Sequence, residues 1–461
     1  MKVLPQSSQD GKHRWPALGS RLPVGRGLHT RQLPPGRTSV RLNRRSTQTQ
    51  AHAAGFRPSG QGRVRKAGFT VLIGSGLGSA VSMFATPLIT RIFEPAVYGE
   101  FALITGVMSV FVGVSTFRLE VQSLRAADDA EAAGLIRLGL IASGAWGAAL
   151  TIATGLAVAL WGVDAYWLST GILVFLTSLQ LLGSAVLTRA QRYGSLAAGN
   201  FVQGASFGVV QLLLGMISAG VGELIAGFGA ARLCWLPALG TFRRKVPGIG
   251  ALWRKNRRFS ALAGTSAFIN SLATSAPVLL VSFFYGDAAV GQLAIGIRLF
   301  VAPLSIIGQA AASANIGEVS RMLRDGDDNS VRLVRHGMRD LLAVGLIPSG
   351  LAGILGAWAV PLVLGREWRE SGLLLAVLSA GALAQFVVAP FSQLLNLTGD
   401  NRPLLIWDTG RFGATVLSFC GARMAGMSLV WAVGFWSFAL IVLHIVQARM
   451  IFRAIVRYRA H

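Results

Sequence analysis

Long runs of uncharged, mostly apolar residues follow one another from Gly68 towards the C-terminus, separated by short polar segments. A helix needs roughly 20 apolar residues to cross the hydrocarbon core of a bilayer. Each such run therefore predicts a membrane-spanning helix. The ten clean runs are 68–90, 101–117, 138–163, 165–188, 199–218, 259–285, 299–316, 341–365, 371–395 and 424–448.

Two further runs are long enough to span a bilayer but contain charged residues. Residues 221–241 include Arg232, and residues 403–422 include Asp408 and Arg411. Counting them, the pattern predicts an all-α integral membrane protein with about 12 transmembrane helices.

The distribution of basic residues tests this count, because Lys and Arg gather in cytoplasmic loops. The chain has 43 Lys and Arg against 19 Asp and Glu, a net charge of +24. With twelve spans and a cytoplasmic N-terminus, 22 of the basic residues after position 66 fall in cytoplasmic segments and 4 in outer loops. A missed helix would invert every later loop. The asymmetry therefore predicts that both termini are cytoplasmic.

Composition narrows the function classes. Hydrophobic residues make up 52% of the chain and charged residues 13%, about half of what a soluble protein carries, and the mean hydropathy is +0.55. The basic surplus belongs to membrane loops, so we expect no nucleic-acid partner. Cys234 and Cys420 lie inside apolar runs and the histidines form no metal-binding motif, so we expect no metal and no bound cofactor.

The chain divides into five predicted segments. The first, 1–66, carries 14 Lys and Arg, one acidic residue and no apolar run, so we expect a disordered extension. It can be interpreted as a basic arm at anionic lipid, a transit peptide or an over-long start. The others are an N-terminal six-helix lobe (67–241), a basic cytoplasmic linker (242–258), a C-terminal six-helix lobe (259–452) and a basic tail (453–461).

A faint internal repeat relates the two predicted lobes. EPAVYGEFA (94–102) aligns with GDAAVGQLA (286–294) at an offset of 192 residues, which places Gly99 on Gly291. Both segments follow the first span of their lobe. An even number of helices in each half allows the two halves to be parallel repeats with a substrate between them.

Four motifs resemble those of bacterial polysaccharide flippases, the Wzx-like, O-antigen and capsule branch of the multidrug/oligosaccharidyl-lipid/polysaccharide exporter superfamily. The first is Thr90-Arg91-x-x-x-Pro95-x-x-Tyr98-Gly99. The others are FRLEVQSLRAADDAEAAGLIRL (117–138), RAQRYGSLAAGNFVQG (189–204) and AIGIRLFVAPLSIIGQAAASA (294–314). The resemblance runs from about residue 66 to the end of the chain.

This resemblance implies two six-helix lobes around a central cavity, in the bacterial cytoplasmic (inner) membrane. It also implies a flippase, not an enzyme, that moves a polyprenyl-pyrophosphate-linked oligosaccharide for surface polysaccharide biosynthesis. The partners would be that lipid-linked oligosaccharide, membrane lipids and other polysaccharide assembly proteins. The alternatives are a small-molecule or multidrug exporter of the same superfamily and a membrane-embedded glycosyltransferase or polymerase.

Four arginines are the candidate substrate-binding residues for such a flippase. Arg298 lies deep in an apolar run that begins near Ala288, and Arg232 lies in the sixth span. A charge inside the bilayer usually faces protein or water, and a guanidinium can bind phosphate in a bidentate manner. Arg91 in the first outer hairpin and Arg118 at the inner mouth of the second span are candidates too. For Arg298 and Arg232 the alternative is a structural ion pair or a snorkelling side chain. For Arg91 it is a structural role in the hairpin, and for Arg118 it is packing or a pair with Glu120.

Asp408 and Arg411 are spaced i, i+3 and share one face of the eleventh predicted span. An internal ion pair is the simpler interpretation. The alternative is that Asp408 couples a proton or sodium gradient to transport. Tyr98, in the first hairpin, is expected at the level of the lipid headgroups.

Overall fold

A computed structural model describes residues 59–240, 248–305, 307–308, 318–319, 321–323, 329–398 and 402–459. Its regular elements are all helical within these ranges, which confirms the predicted fold class. The helices of the first half are α1 (Ser59–Ile92), α2 (Pro95–Ser115), α3 (Leu119–Arg125), α4 (Asp129–Trp161), α5 (Ser169–Arg189), α6 (Tyr193–Gly215), α7 (Val221–Ala230) and α8 (Leu236–Gly240). Those of the second half are α9 (Ile249–Tyr285), α10 (Asp287–Gly296), α11 (Ser330–Leu364), α12 (Arg369–Val388), α13 (Arg402–Met424) and α14 (Leu429–Arg459).

Ten helical segments of the described chain are long and apolar enough to cross a membrane, and each overlaps one of the ten clean runs. The overlap is smallest for Asp287–Ser305, which begins well before the predicted run 299–316. The two runs that carry charges are helical as well. Residues 221–240 form α7 and α8 with the 3-10 turn Leu233–Trp235 between them, and α13 covers the run at 403–422. The chain is therefore a multi-pass membrane protein whose two charge-bearing runs are part of the helical bundle.

Local sequence signals set the ends of these helices. Pro95 opens α2, where its missing N–H costs nothing and its fixed φ suits the first helical turn. Asp128 caps α4, because its carboxylate accepts a hydrogen bond of 2.7 Å from the backbone N–H of Glu131. Gly162 ends α4 in the left-handed conformation that a glycine adopts without strain.

Two predicted segment boundaries differ from the structure. Helix α9 begins at Ile249, inside the predicted linker 242–258, and α14 continues to Arg459, through most of the predicted tail 453–461. The basic residues there are good helix formers, so both helices continue beyond their apolar runs. The predicted extension 1–66 lies outside the described residues up to position 58, and α1 begins at Ser59.

Two ends of the helical bundle are defined by the connections that contact one another. We call the end with the α1–α2 turn the hairpin end. There the Trp368 indole N–H donates to the Thr90 carbonyl at 2.8 Å. We call the opposite end, with residues 241–248, the linker end. There Phe117 packs edge-on against Trp253, with ring centroids 5.4 Å apart.

The two lobes, here residues 59–240 and 249–459, meet where α2 packs against α9 and α10. At the hairpin end a Cβ added to Gly99 would overlap the Asp287 carbonyl oxygen, and one added to Gly291 would overlap the Pro95 carbonyl oxygen. The same offset relates Gly99 to Gly291 and Pro95 to Asp287. The internal repeat therefore contacts itself reciprocally, and only glycine allows the two backbones to come so close.

Candidate functional site

Arg298 extends from the C-terminal lobe and contacts three residues of the N-terminal lobe. It lies in the π-helical turn Ile297–Val301 that continues α10, and its side chain is half-buried. One terminal nitrogen donates to the Tyr98 hydroxyl at 2.7 Å, and the other donates to the Ser82 hydroxyl at 2.8 Å. The guanidinium carbon lies 4.6 Å from the centre of the Phe207 ring.

All three of these partners are uncharged. The two hydroxyls and the ring face orient the guanidinium without neutralising it. A cation in an apolar helix is costly to maintain, so such a residue usually serves a substrate or ion path. Arg298 thus presents its positive charge where the two lobes meet.

Arg232 is buried within the N-terminal lobe. Its Nε donates to the Thr177 hydroxyl at 2.9 Å, and a terminal nitrogen donates to the Phe228 carbonyl at 2.8 Å. The guanidinium also lies over the Phe228 ring, 3.3 Å from its centre. These partners are uncharged too, so Arg232 is a second cation without a carboxylate among its described hydrogen bonds.

An aromatic cluster connects the two arginines. Phe207, which lies under Arg298, packs edge-on against Phe228, which lies under Arg232, with ring centroids 5.7 Å apart. The cluster extends through Phe101 and Tyr98 to Trp368 of the other lobe, in edge-to-face contacts of 5.8 to 5.9 Å. Edge-to-face packing is specific in geometry, so a movement between the lobes would disturb the contacts that cross between them, those of Arg298 and Trp368 with Tyr98.

The other two candidate arginines lie elsewhere. Arg91 is exposed in the last turn of α1, at the hairpin end. Arg118 lies at the linker end, 3.4 Å from the Glu120 carboxylate, which also accepts a 2.6 Å hydrogen bond from Thr116. The four arginines predicted from the sequence therefore do not form one site, because only Arg298 and Arg232 share the aromatic cluster.

Asp408 and Arg411 form the ion pair that their spacing favours, at 3.5 Å, and both side chains are largely buried. Arg411 also donates to the Asn270 side-chain oxygen at 2.9 Å and to the Thr274 hydroxyl at 3.2 Å, both on α9. The pair therefore joins α13 to α9 inside the C-terminal lobe. A role for Asp408 in ion coupling stays a prediction.

Replacing Asp408 with asparagine tests the structural role of this pair. We expect Asp408→Asn to lower the free energy of unfolding by about 1–2 kcal/mol, since Arg411 keeps its bonds to α9 but loses its anion. The measurement is thermal unfolding in detergent, with Asp164→Asn at an exposed position as the control. An unchanged melting temperature together with a lost response to an ion gradient would show that the carboxylate acts in coupling instead.

The sequence did not reveal the partners of Arg298. The sequence predicts Tyr98 at the level of the lipid headgroups but not its environment: Tyr98 is 4% exposed, and its hydroxyl accepts a hydrogen bond from Arg298. A signal was present in the spacing of Tyr98 and Phe101, which places two aromatic rings on one face of α2. Ser82 and Phe207 carried no such signal, because a single serine or phenylalanine is ordinary in an apolar span.

The fold resembles solved membrane transporters. The lipid II flippase MurJ, in an inward closed conformation, aligns with a TM-score of 0.64 at 10% identity over 85% of this chain and 90% of that one. A mutant of the Vibrio cholerae MATE transporter VcmN aligns with a TM-score of 0.58 at 15% identity over 87% and 98%. A MOP superfamily transporter from Pyrococcus furiosus aligns at 0.54 and 14% over 85% and 96%. At these identities the similarity shows a shared fold, that of two-lobed helical transporters.

The family is shown by sequence. A family model described as polysaccharide biosynthesis protein matches residues 88–372, which is more than half of the chain. The chain belongs to this family. No protein in the curated set matches it by sequence.

Proposed function

We propose that this protein is a flippase that moves a polyprenyl-pyrophosphate-linked oligosaccharide across the bacterial cytoplasmic membrane by alternating access. Membership of the polysaccharide biosynthesis family supports the substrate class. The likeness of the fold to MurJ and to MATE transporters supports a transport mechanism. The proposed activity is transport, and no chemical step is assigned to any residue.

The observation that carries this proposal is the environment of Arg298. A pyrophosphate attached to a lipid must cross the bilayer as an anion, which needs a cation on its path. Arg298 offers one inside a membrane-spanning helix, and its three contacts are uncharged. Guanidinium binds phosphate through two parallel charge-assisted hydrogen bonds, which are stronger than bonds to hydroxyls.

The same contacts suggest how binding drives movement. In the structure the terminal nitrogens of Arg298 are bonded to Tyr98 and Ser82 of the other lobe. A pyrophosphate that takes these donors would remove both inter-lobe hydrogen bonds at once. Substrate capture would then weaken the contact between the lobes and let them rock, as alternating access requires.

Flipping by purified protein tests the proposal directly. The full chain is reconstituted into liposomes that carry a fluorescent polyprenyl-pyrophosphate-linked saccharide, and outward movement is followed by quenching from one side. We expect faster flipping than in empty liposomes and no efflux of the cationic dye ethidium. Efflux of the dye without flipping would favour the multidrug exporter instead, and the proposal would be abandoned.

Removing the Tyr98 hydroxyl tests the proposed competition. In Tyr98→Phe the ring stays in the aromatic cluster, but Arg298 loses one neutral acceptor, so an anion has less to displace. We expect polyprenyl pyrophosphate to bind about 3- to 10-fold more tightly, the equivalent of one neutral hydrogen bond. Titration of the purified protein in nanodiscs measures this. Unchanged or weaker binding would mean that Tyr98 does not restrain Arg298.

A glycosyltransferase or polymerase is the remaining alternative. Within the described residues no group of three or more His, Cys, Asp or Glu side chains is placed to hold a metal ion. The family description would also suit such an enzyme, so the discriminating result is sugar transfer by purified protein. A gene knockout that traps lipid-linked oligosaccharide on the inner leaflet would support the flippase.

The remaining features are proposed on the same basis. With both termini in the cytoplasm the linker end faces inward, and the substrate enters there from the site of its synthesis. Membrane lipids and other polysaccharide assembly proteins are the expected partners. A proton or sodium gradient is the proposed driving force, and Asp408 with Arg411 is the candidate coupling pair if its role is not purely structural.

A further inference from the structure

A cavity of about 240 Å³ opens in the C-terminal lobe close to Arg298. Its wall is formed by the helix that continues from α10, by α12 and by the 3-10 segment Ala389–Thr398. The first lining residue is Val301, three positions after Arg298, and Ser305 follows seven positions after it. At 1.5 Å per helical residue, the cavity therefore begins within about 10 Å of Arg298 along the helix, towards the linker end.

The side chains around the cavity are polar but uncharged. The ten described residues that line it are neutral, and four of them can form hydrogen bonds with a guest: Ser305, Gln385, Ser392 and Gln393. The Ser305 hydroxyl donates to the Ala302 carbonyl at 2.7 Å and keeps its acceptor capacity. The other three side chains make no hydrogen bond to another described residue, so their donors and acceptors are available.

This lining distinguishes between ligand classes. An isoprenyl tail would cover two carboxamides and two hydroxyls, which are half-buried or exposed, without offering them hydrogen bonds, and that is unfavourable. A phosphate or a metal ion would find no opposite charge on the lining residues that the structure describes. Sugar hydroxyls both donate and accept, as carboxamides do, and half-buried apolar lining residues such as Val301 suit the C–H face of a sugar ring. The volume lies below the ~300–1,000 Å³ of pockets for drug-sized ligands, which suits one ring better than a whole oligosaccharide.

We propose that this cavity binds an uncharged sugar ring of the lipid-linked oligosaccharide while Arg298 holds the pyrophosphate. The inference rests on the proposed function. One helix would then contact both parts of the substrate. The anion would bind at the π-helical turn, and the first sugar would bind one to two turns further along the helix. Gln385 and Gln393 would decide which sugars are accepted, because a site built to bond hydroxyls rejects a ligand that lacks them.

Binding of two probes separates the sugar contact from the phosphate contact. The probes are undecaprenyl pyrophosphate and undecaprenyl-pyrophosphoryl-N-acetylglucosamine, titrated against the full chain in nanodiscs. We expect Gln385→Leu, which keeps the side-chain volume, to weaken binding of the sugar-bearing probe about 5- to 10-fold and to leave the bare pyrophosphate unchanged. Ser392→Ala, which removes one oxygen atom, should act in the same direction and serves if Gln385→Leu folds poorly.

The matched control is Gln122→Leu in the N-terminal lobe. Gln122 is also half-buried, and its amide nitrogen has no hydrogen-bond partner. We expect this variant to bind both probes like the wild type. Equal weakening of both probes by Gln385→Leu, or no weakening of either, would overturn the sugar site. If Arg298→Ala binds both probes as tightly as the wild type, the proposed function fails instead.

Discussion

Arg298→Ala should slow the flipping of a polyprenyl-pyrophosphate-linked saccharide by about 10- to 100-fold, the equivalent of one hydrogen-bonded charged group. The variant removes the cation that offsets the pyrophosphate during its crossing. It also removes both inter-lobe hydrogen bonds, to Tyr98 and Ser82, so the lobes should separate more readily. If the variant flips more slowly although its lobes separate more readily, the loss of the positive charge on the substrate path limits the rate.

Two further variants make this result interpretable. Arg298→Lys keeps the charge but not the two-pronged geometry, so we expect an intermediate rate. Arg91→Ala removes an exposed arginine at the hairpin end and should flip like the wild type. All proteins are compared at equal amounts of folded material, measured by size-exclusion chromatography. Wild-type flipping by well-folded Arg298→Ala would remove the residue from the mechanism.

Gly99→Ala should open the hairpin end. The added Cβ would overlap the Asp287 carbonyl oxygen, and a backbone atom has little freedom to move away. We expect the closed contact to lose about 2–3 kcal/mol, the upper part of the range for overpacked positions. The fraction of molecules closed at this end should therefore fall markedly. Gly291→Ala should do the same from the other lobe, because the two contacts are reciprocal.

Spin labels on the two lobes measure this opening. Asp164→Cys and Met424→Cys place labels at exposed positions of the hairpin end, in a background without Cys234 and Cys420. The Gly99→Ala variant should add a longer component to the distance distribution. Gly76→Ala is the control, because no atom lies within 4 Å of the Cβ it would add. An unchanged distribution in Gly99→Ala would mean that the glycines do not control the closed state.

The sequence predicts the helical bundle well because each span is determined by its own apolar length. It predicts less well where a helix continues beyond its apolar run: α9 and α14 extend through basic residues such as Arg254 and Arg453, which a hydropathy pattern does not mark as helical. Helix propensity does predict these extensions, because Arg and Lys favour helices.

The candidate site is predictable only in part. The sequence alone predicts that Arg298 faces protein, because a charged side chain that faces lipid is costly. That it bonds Tyr98, 200 residues away, depends on how two lobes dock, and no local pattern encodes that. Arg91 and Arg118 looked equally suitable as single residues, because only the assembled bundle separates its two ends from its middle.

The reciprocal packing of Gly99 and Gly291 has the geometry of an isologous interface, in which the same patch meets itself across a two-fold axis. Gene duplication and fusion of a homodimeric six-helix ancestor would leave this trace. After fusion the two halves can diverge in sequence. The offset of 192 residues that aligns Gly99 with Gly291 also aligns Gly106 with Arg298. Gly106 packs against Val278 and carries no charge. At this pair of equivalent positions only the second copy carries positive charge, so an anion bound by Arg298 would be held from the side of the second copy.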